Sequence, residues 1–188
     1  MNAKNVTITA VFAALTIVLN PAISGIGIPA PYAPFLIYEL WEIPIVIAAF
    51  IYGLKFGISI ALLNTMALLA LFPGALPTGP FYNLAAVLSM LLGIFIVKKI
   101  CTSSRSRDSF GVGGTALYTI FGMTSRVAIM TVINYTFLRF PPPVGFAFPE
   151  EVIIATIPLT VLFNATLSLY TIPLGSAIAK LIISNAKH

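Results

Sequence analysis

The sequence predicts an all-α integral membrane protein, with six transmembrane helices and both ends of the chain on the cytoplasmic side. Three observations carry this reading. Of the 188 residues, 59% are hydrophobic and 8% are charged, with a mean hydropathy of +1.04; so few charges cannot cover the surface of a soluble domain. The segments 5–38, 56–97 and 152–179 hold no charged residue at all. At roughly 20 apolar residues per span these runs divide into about six helices, and their continuity is unlike the alternation of barrel strands. Finally, the basic residues fall on one side of the resulting topology.

The first helix is expected over 6–19, ending near Asn20-Pro21. One lysine (Lys4) precedes it and no small-residue cleavage site follows, so it is read as a retained helix and not a signal peptide. SGIGIPAPYAP (24–34) is a loop by its turn chemistry. The second helix is short, 41–54, with Pro44 accommodated in its first turn. GLKFG (53–57) makes a tight turn into the third helix, 56–71. FPGALPTGP (72–80) separates this from the fourth, 81–97. The polar loop KKICTSSRSRDSFG (98–111) leads to the fifth, 112–138, and RFPPPVGFAFPEE (139–151) to the sixth, 152–181. Pro158 and Pro173 lie inside the sixth, where neighbouring helices can re-satisfy the freed backbone groups. The whole chain, 1–188, reads as one six-helix membrane domain without an internal repeat.

Orientation follows from the charges near the helix ends. Lys4, Lys55, Lys98, Lys99, Arg105, Arg107, Lys180 and Lys187 gather on one side, which is therefore cytoplasmic. Arg139 lies on the other, with Glu39, Glu42, Glu150 and Glu151. This bias accounts for the net charge of +5 without a nucleic-acid partner. The acids all fall in loops or at helix ends, which leaves a self-contained carrier without coupling-ion residues at mid-membrane.

Catalytic chemistry is not in evidence, and the chain is not expected to be an enzyme. GVGGT (111–115) lacks the lysine of a phosphate-binding loop. His188 is the last residue, Cys101 is alone, and the five acids do not form a closely spaced metal set. No cofactor is expected.

Polar residues within the spans are more informative. Asn64, Asn83, Arg126, Asn134 and Asn164 lie on helices three to six. At 100° per residue Arg126, Met130, Ile133, Asn134 and Phe137 share one face. An arginine facing lipid costs about 2.5–3.5 kcal/mol on insertion scales, so this face should turn into the bundle. Two roles are open to these residues: interhelical hydrogen bonding, or lining a polar cavity. Arg126 is expected below such a cavity, bonded to helix-end carbonyls or polar side chains. Tyr32, Phe35, Tyr38, Trp41, Phe81, Tyr82, Tyr135, Phe140, Phe146 and Phe148 crowd the outer side. They suit an interfacial belt, and several flank the loops and asparagines, where they can wall a pocket for a flat ligand. Ala10 and Ala14 stand four apart on the first helix, a spacing that lets another helix approach closely.

Several segments bear a family likeness. AVFAA (10–14) resembles the AxxxA motif by which the substrate-binding (S) components of energy-coupling factor (ECF) transporters meet their coupling subunit. FLIYELWEIP (35–44) resembles the segment of riboflavin S components that reads like FLELDFSDIP, with Glu39 and Glu42 in place of its aspartates. AAFIYGLKFGI (48–58), MTVINY (130–135) and IPLTVLFN (157–164) resemble further segments of that class. One departure is plain: Phe163 stands where the riboflavin pattern commonly has lysine.

The resemblance implies an S component that captures a vitamin, riboflavin first, as cargo and not as cofactor. It implies a transmembrane coupling (T) subunit and two cytoplasmic ATPases as partners, and the cell membrane as location. Substrate-binding positions would be Glu39, Trp41, Asn64, Tyr82, Asn83, Met130, Asn134 and Asn164. Arg126 would support the pocket, and Ala10 and Ala14 would meet the T subunit. Asn83 and Asn134 offer amide donors and acceptors to a ring edge; Met130, Tyr82 and Trp41 offer polarizable or stacking contacts. The alternatives are an S component for another vitamin, or a non-transport six-helix scaffold of the rod-shape-complex type.

Overall fold

A computed structural model describes residues 3–71, 76–102 and 111–186. Arg105, Arg107, Lys187 and His188 lie outside the described residues, as does the Cys101 side chain. In chain order the elements are α1 (Ala3–Leu19), α2 (Pro21–Ser24), β1 (Ile28–Ala30), β2 (Ala33–Tyr38), α3 (Glu42–Tyr52), α4 (Leu54–Leu71), α5 (Gly79–Thr102), α6 (Val112–Phe137) and α7 (Glu150–Asn185). A helix thus forms at each position where the apolar runs predicted one, though not each is of membrane-spanning length.

Two expectations need correction. The stretch read as a loop contains an antiparallel hairpin, with Ile28 opposite Tyr38 and Pro29 opposite Ile37, so the fold is not wholly α. The physical reason is local: α1 stops, a single turn of helix, α2, redirects the chain, and a glycine ends it. Asn20 caps α2, its Oδ1 accepting from the Ala22 N–H at 3.1 Å, with Pro21 at the first helical position. Gly25 then ends it in the left-handed region (φ 66°). The β-branched and aromatic run PFLIY that follows pairs with IPA instead of coiling. The second correction concerns Trp41, which precedes α3 and does not begin it.

α4, α6, α7 and residues 79–100 of α5 are each long and apolar enough to cross a membrane; α1, with 17 residues, and α3, with 11, are shorter. Most of α3 is buried, from Glu42 through Phe50 with Ile43 only partly covered. It is the central helix of the packing, set against α1, α4 and α7, while α5 packs along α6 and α6 along α7. The apolar core joins α3 residues such as Ile45 and Val46 to Ile60, Val87, Met90, Leu91 and Ile172. α5 and α6 cross closely because Gly93 has no side chain: a Cβ there would run into the Phe121 carbonyl.

Below this level the bundle has two unlike ends. Lys98 and Lys99 on α5 and Lys180 on α7 stand near the helix ends remote from the hairpin. Toward the hairpin, the N-terminal halves of α5 and α7 and the C-terminal half of α6 open around a cavity.

Candidate functional site

The cavity has a volume of about 670 Å³. Its walls come from five places: Phe35, Leu36 and Glu39 from β2 and the turn after it, Tyr82, Asn83 and Ala86 from α5, Arg126, Met130, Asn134 and Leu138 from α6 and its end, Phe146 and Phe148 from the following loop, and Thr156, Thr160, Phe163 and Asn164 from α7. Phe146 and Phe148 stack on each other, centroids 5.3 Å apart and 17° from coplanar. A flat aromatic surface with a few convergent polar groups is the usual make-up of a small-molecule site.

Arg126 forms the floor. It is 3% exposed, and its Nη1 and Nη2 donate to the two carboxylate oxygens of Glu42 at 2.5 and 2.9 Å. Its Nε donates to Asn164 Oδ1 at 2.8 Å, and Asn164 Nδ2 in turn donates to the Thr160 carbonyl at 2.8 Å. The fork geometry is the one that suits guanidinium and carboxylate best. One ion pair and one amide thereby tie α3, α6 and α7 together. This corrects the expected placement of Glu42 among outward-facing acids: it is 1% exposed, inside the bundle. Of the two kinds of partner expected for Arg126, helix-end carbonyls or polar side chains, it has the second, a carboxylate and an amide.

The hairpin is fastened to α7 by hydroxyl groups. Tyr32 and Tyr38 share a hydrogen bond at 2.6 Å, and Tyr38 and Thr166 another at 2.7 Å. The Tyr170 hydroxyl donates to the Glu39 carbonyl at 2.6 Å and accepts from the Glu39 N–H at 3.3 Å. The Tyr38 ring packs on Phe163, centroids 5.1 Å apart. Across the cavity, Tyr82 donates to the Val144 carbonyl at 2.8 Å and Thr78 to the Pro143 carbonyl, holding the Pro-rich loop against α5. Both rims of the cavity are therefore anchored to helices.

Glu39 is half-buried in the wall, and burial pushes its carboxyl up to about 7. The Trp41 indole N–H beside it, short of full hydrogen-bond geometry, opposes that rise; Glu42 adds to it and Arg126 opposes it.

Of the residues singled out in the sequence, the fold brings Glu39, Tyr82, Asn83, Arg126, Met130, Asn134 and Asn164 to this one cavity. Two are elsewhere. Asn64 is 1% exposed within α4, its Oδ1 without a partner among the described residues, and Trp41 is buried behind the wall at 1% exposure. Neither lines the cavity. Ala10 and Ala14 are exposed on one face of α1. Glu42, expected among outward-facing acids, is the missed partner of Arg126. A signal was present: an arginine bound for the interior needs a counter-charge, and Glu42 was one of few acids able to supply it. Phe163, noted only as a departure, is part of the wall.

No curated protein matches the chain. A solved structure of the S component of a bacterial ECF transporter has the same fold, with a TM-score of 0.76 at 21% identity over 98% of this chain and 98% of that one. The family model for the substrate-specific component of ECF transporters matches residues 4–186. The protein is thus a multi-pass membrane protein that belongs to the ECF transporter substrate-specific (S) component family.

Proposed function

We propose that the protein captures a vitamin in the cavity beneath the hairpin and delivers it inward with the help of a separate T subunit and two ATPases, riboflavin being the first candidate. The observation that carries this reading is the meeting of unsatisfied amides and aromatic faces in one cavity. The side chains of Asn83 and Asn134 line it without a hydrogen bond to any described residue. Asn83 is half-exposed and Asn134 faces the cavity, so both amides are accessible to hydrogen-bond a ligand there. Phe35, Phe146 and Phe148 give flat surfaces for a planar ring. In this reading the bundle crosses the membrane with both termini cytoplasmic and the cavity opening outward, supported by Lys4 and Lys55 in the first turns of α1 and α4 and by Lys98, Lys99 and Lys180 toward the ends of α5 and α7, all remote from the cavity. Ala10 and Ala14, exposed and small, offer a smooth face for the T subunit. Substrate capture without catalysis is the role assigned to this chain, and riboflavin would be cargo.

A second reading, capture of another vitamin, is favoured by Phe163: the wall is apolar where a riboflavin-type site has a cation. One experiment separates the two. The protein is purified alone in detergent from riboflavin-fed cells and its visible spectrum recorded. A flavin spectrum near one ligand per chain supports riboflavin. A colourless protein that riboflavin does not stabilise against heat, but another vitamin does, moves the assignment to that vitamin. Stabilisation by none rejects vitamin capture.

A further inference from the structure

The polar groups of the cavity are unequal in what they can accept and donate. Only Glu39 and Arg126 among the lining residues are charged. Arg126 is largely engaged: Nε, Nη1 and Nη2 each have a protein partner, which leaves one Nη2 hydrogen over, and its charge is matched by Glu42. Glu39 is held by its main chain through Tyr170, yet its carboxylate has no ion pair among the described residues. Once Glu39 is ionised, above about pH 7, the charge of the three groups together is therefore −1.

The hydroxyls tilt the same way. Thr156 donates its proton to the Ile153 carbonyl at 3.0 Å and Thr160 to the Ile157 carbonyl at 2.9 Å, so each shows the cavity only lone pairs. Tyr82 has spent its proton on Val144. Donors left for a ligand are chiefly the amides of Asn83 and Asn134. An anion placed here would lose its hydration, meet no free cation and face a carboxylate. A ligand rich in N–H, O–H or ammonium donors would meet acceptors that lack them.

The geometry points to Glu39 as the charge-selecting residue of the cavity, admitting neutral or cationic heteroaromatic ligands that present hydrogen-bond donors and turning anionic ones away. This rests on the vitamin-capture reading and names the charge class of its ligand. Trp41 is the one tryptophan of the chain and lies next to this site, so its fluorescence reports occupancy.

The test titrates the purified protein at about pH 8.5, where Glu39 is ionised, with riboflavin and pyridoxine (neutral), thiamine (cationic), and biotin and pantothenate (anionic), following Trp41 quenching and thermal stabilisation. The tightest ligand should be neutral or cationic, ahead of either anion by about a hundredfold, the scale of a like-charge penalty in a desolvated site. In Glu39→Gln, which keeps shape and the main-chain bonds to Tyr170, the gap should narrow by about tenfold. Glu151→Gln, an exposed acid at the start of α7 outside the cavity lining, should leave it unchanged. An anion binding the unaltered protein as tightly as the best neutral ligand overturns the inference and leaves vitamin capture standing. So does a gap that Glu39→Gln fails to move. Binding by no member of the panel overturns both.

Discussion

Two polar clusters sit on the same face of α6, two turns apart, and they are built on opposite terms. Around Arg126 the groups are satisfied: its guanidinium nitrogens, both Glu42 oxygens and the amide of Asn164 all have protein partners. Around Asn134 the side chains stand open: among the described residues Asn83 and Asn134 have no side-chain hydrogen bond and Glu39 no ion pair. The difference teaches how to sort buried polar residues in a membrane bundle. A satisfied cluster fixes helices; an unsatisfied one beside an open volume awaits a ligand. Residue type alone would not distinguish them, because asparagine serves in both.

The sharpest way to break this contrast is to unbalance the satisfied cluster. Glu42→Gln leaves the Arg126 charge buried without its counter-ion and should lower stability by about 3–5 kcal/mol, read as a large drop in unfolding temperature in detergent. The double replacement Arg126→Leu with Glu42→Leu should cost less than Arg126→Leu alone, since it leaves no orphan charge. Equal losses in both would show that the pair is not the stabilising unit.

Asn134→Ala addresses the open cluster and should do the reverse. Ligand affinity should fall about tenfold, the worth of one or two hydrogen bonds, while the unfolding temperature of the ligand-free protein stays put. A drop in ligand-free stability comparable to that of Glu42→Gln would erase the distinction between the clusters.

Tyr170→Phe tests the rim between them. It removes the hydroxyl that bonds both main-chain groups of Glu39 and should cost about 1 kcal/mol in stability. Faster amide hydrogen exchange at residues 33–39 than in α3 would show the hairpin loosened alone.

The smallest expected effect is a pH slope. Folding holds the proton on Glu39 up to about 7, against an ordinary value of 4.5. Between these values the folded chain binds more protons than the unfolded one. The contribution of Glu39 is thus complete below 4.5 and lost as pH rises through about 7. Trp41, Glu42, Arg126 and Tyr170 face this group, and Arg126 and Glu42 keep their mutual pairing across that window. Glu39→Gln should flatten the stability of the ligand-free protein across neutral pH; an unchanged slope would assign it elsewhere.

How much of this was legible in the residues differs by element. The long helices were, because uncharged runs of membrane length leave the backbone few other ways to satisfy itself. The hairpin was not: Gly, Pro and Ala at 24–34 signal turns, and strands this short are decided by a partner strand and by the tyrosines that fasten them to α7. Arg126 and Asn134 were placed inward by spacing on one helix. Asn64 was misdirected toward the cavity because α4 is apolar on every side, so its rotation could not be read from its own residues. Trp41 suited a pocket by chemistry but was drawn into the core by α3.

By itself, then, the sequence determined a membrane-spanning helical bundle, its charge asymmetry and an inventory of polar groups too costly to expose to lipid. Those follow from local physics: hydropathy, helix periodicity and the price of a charge in hydrocarbon. Only the tertiary structure decided which acid neutralises Arg126, which amides are left open and which single carboxylate faces the cavity. These depend on helix rotation and on contacts between residues up to 131 positions apart, such as Tyr170 with Glu39, and no short-range pattern encodes them.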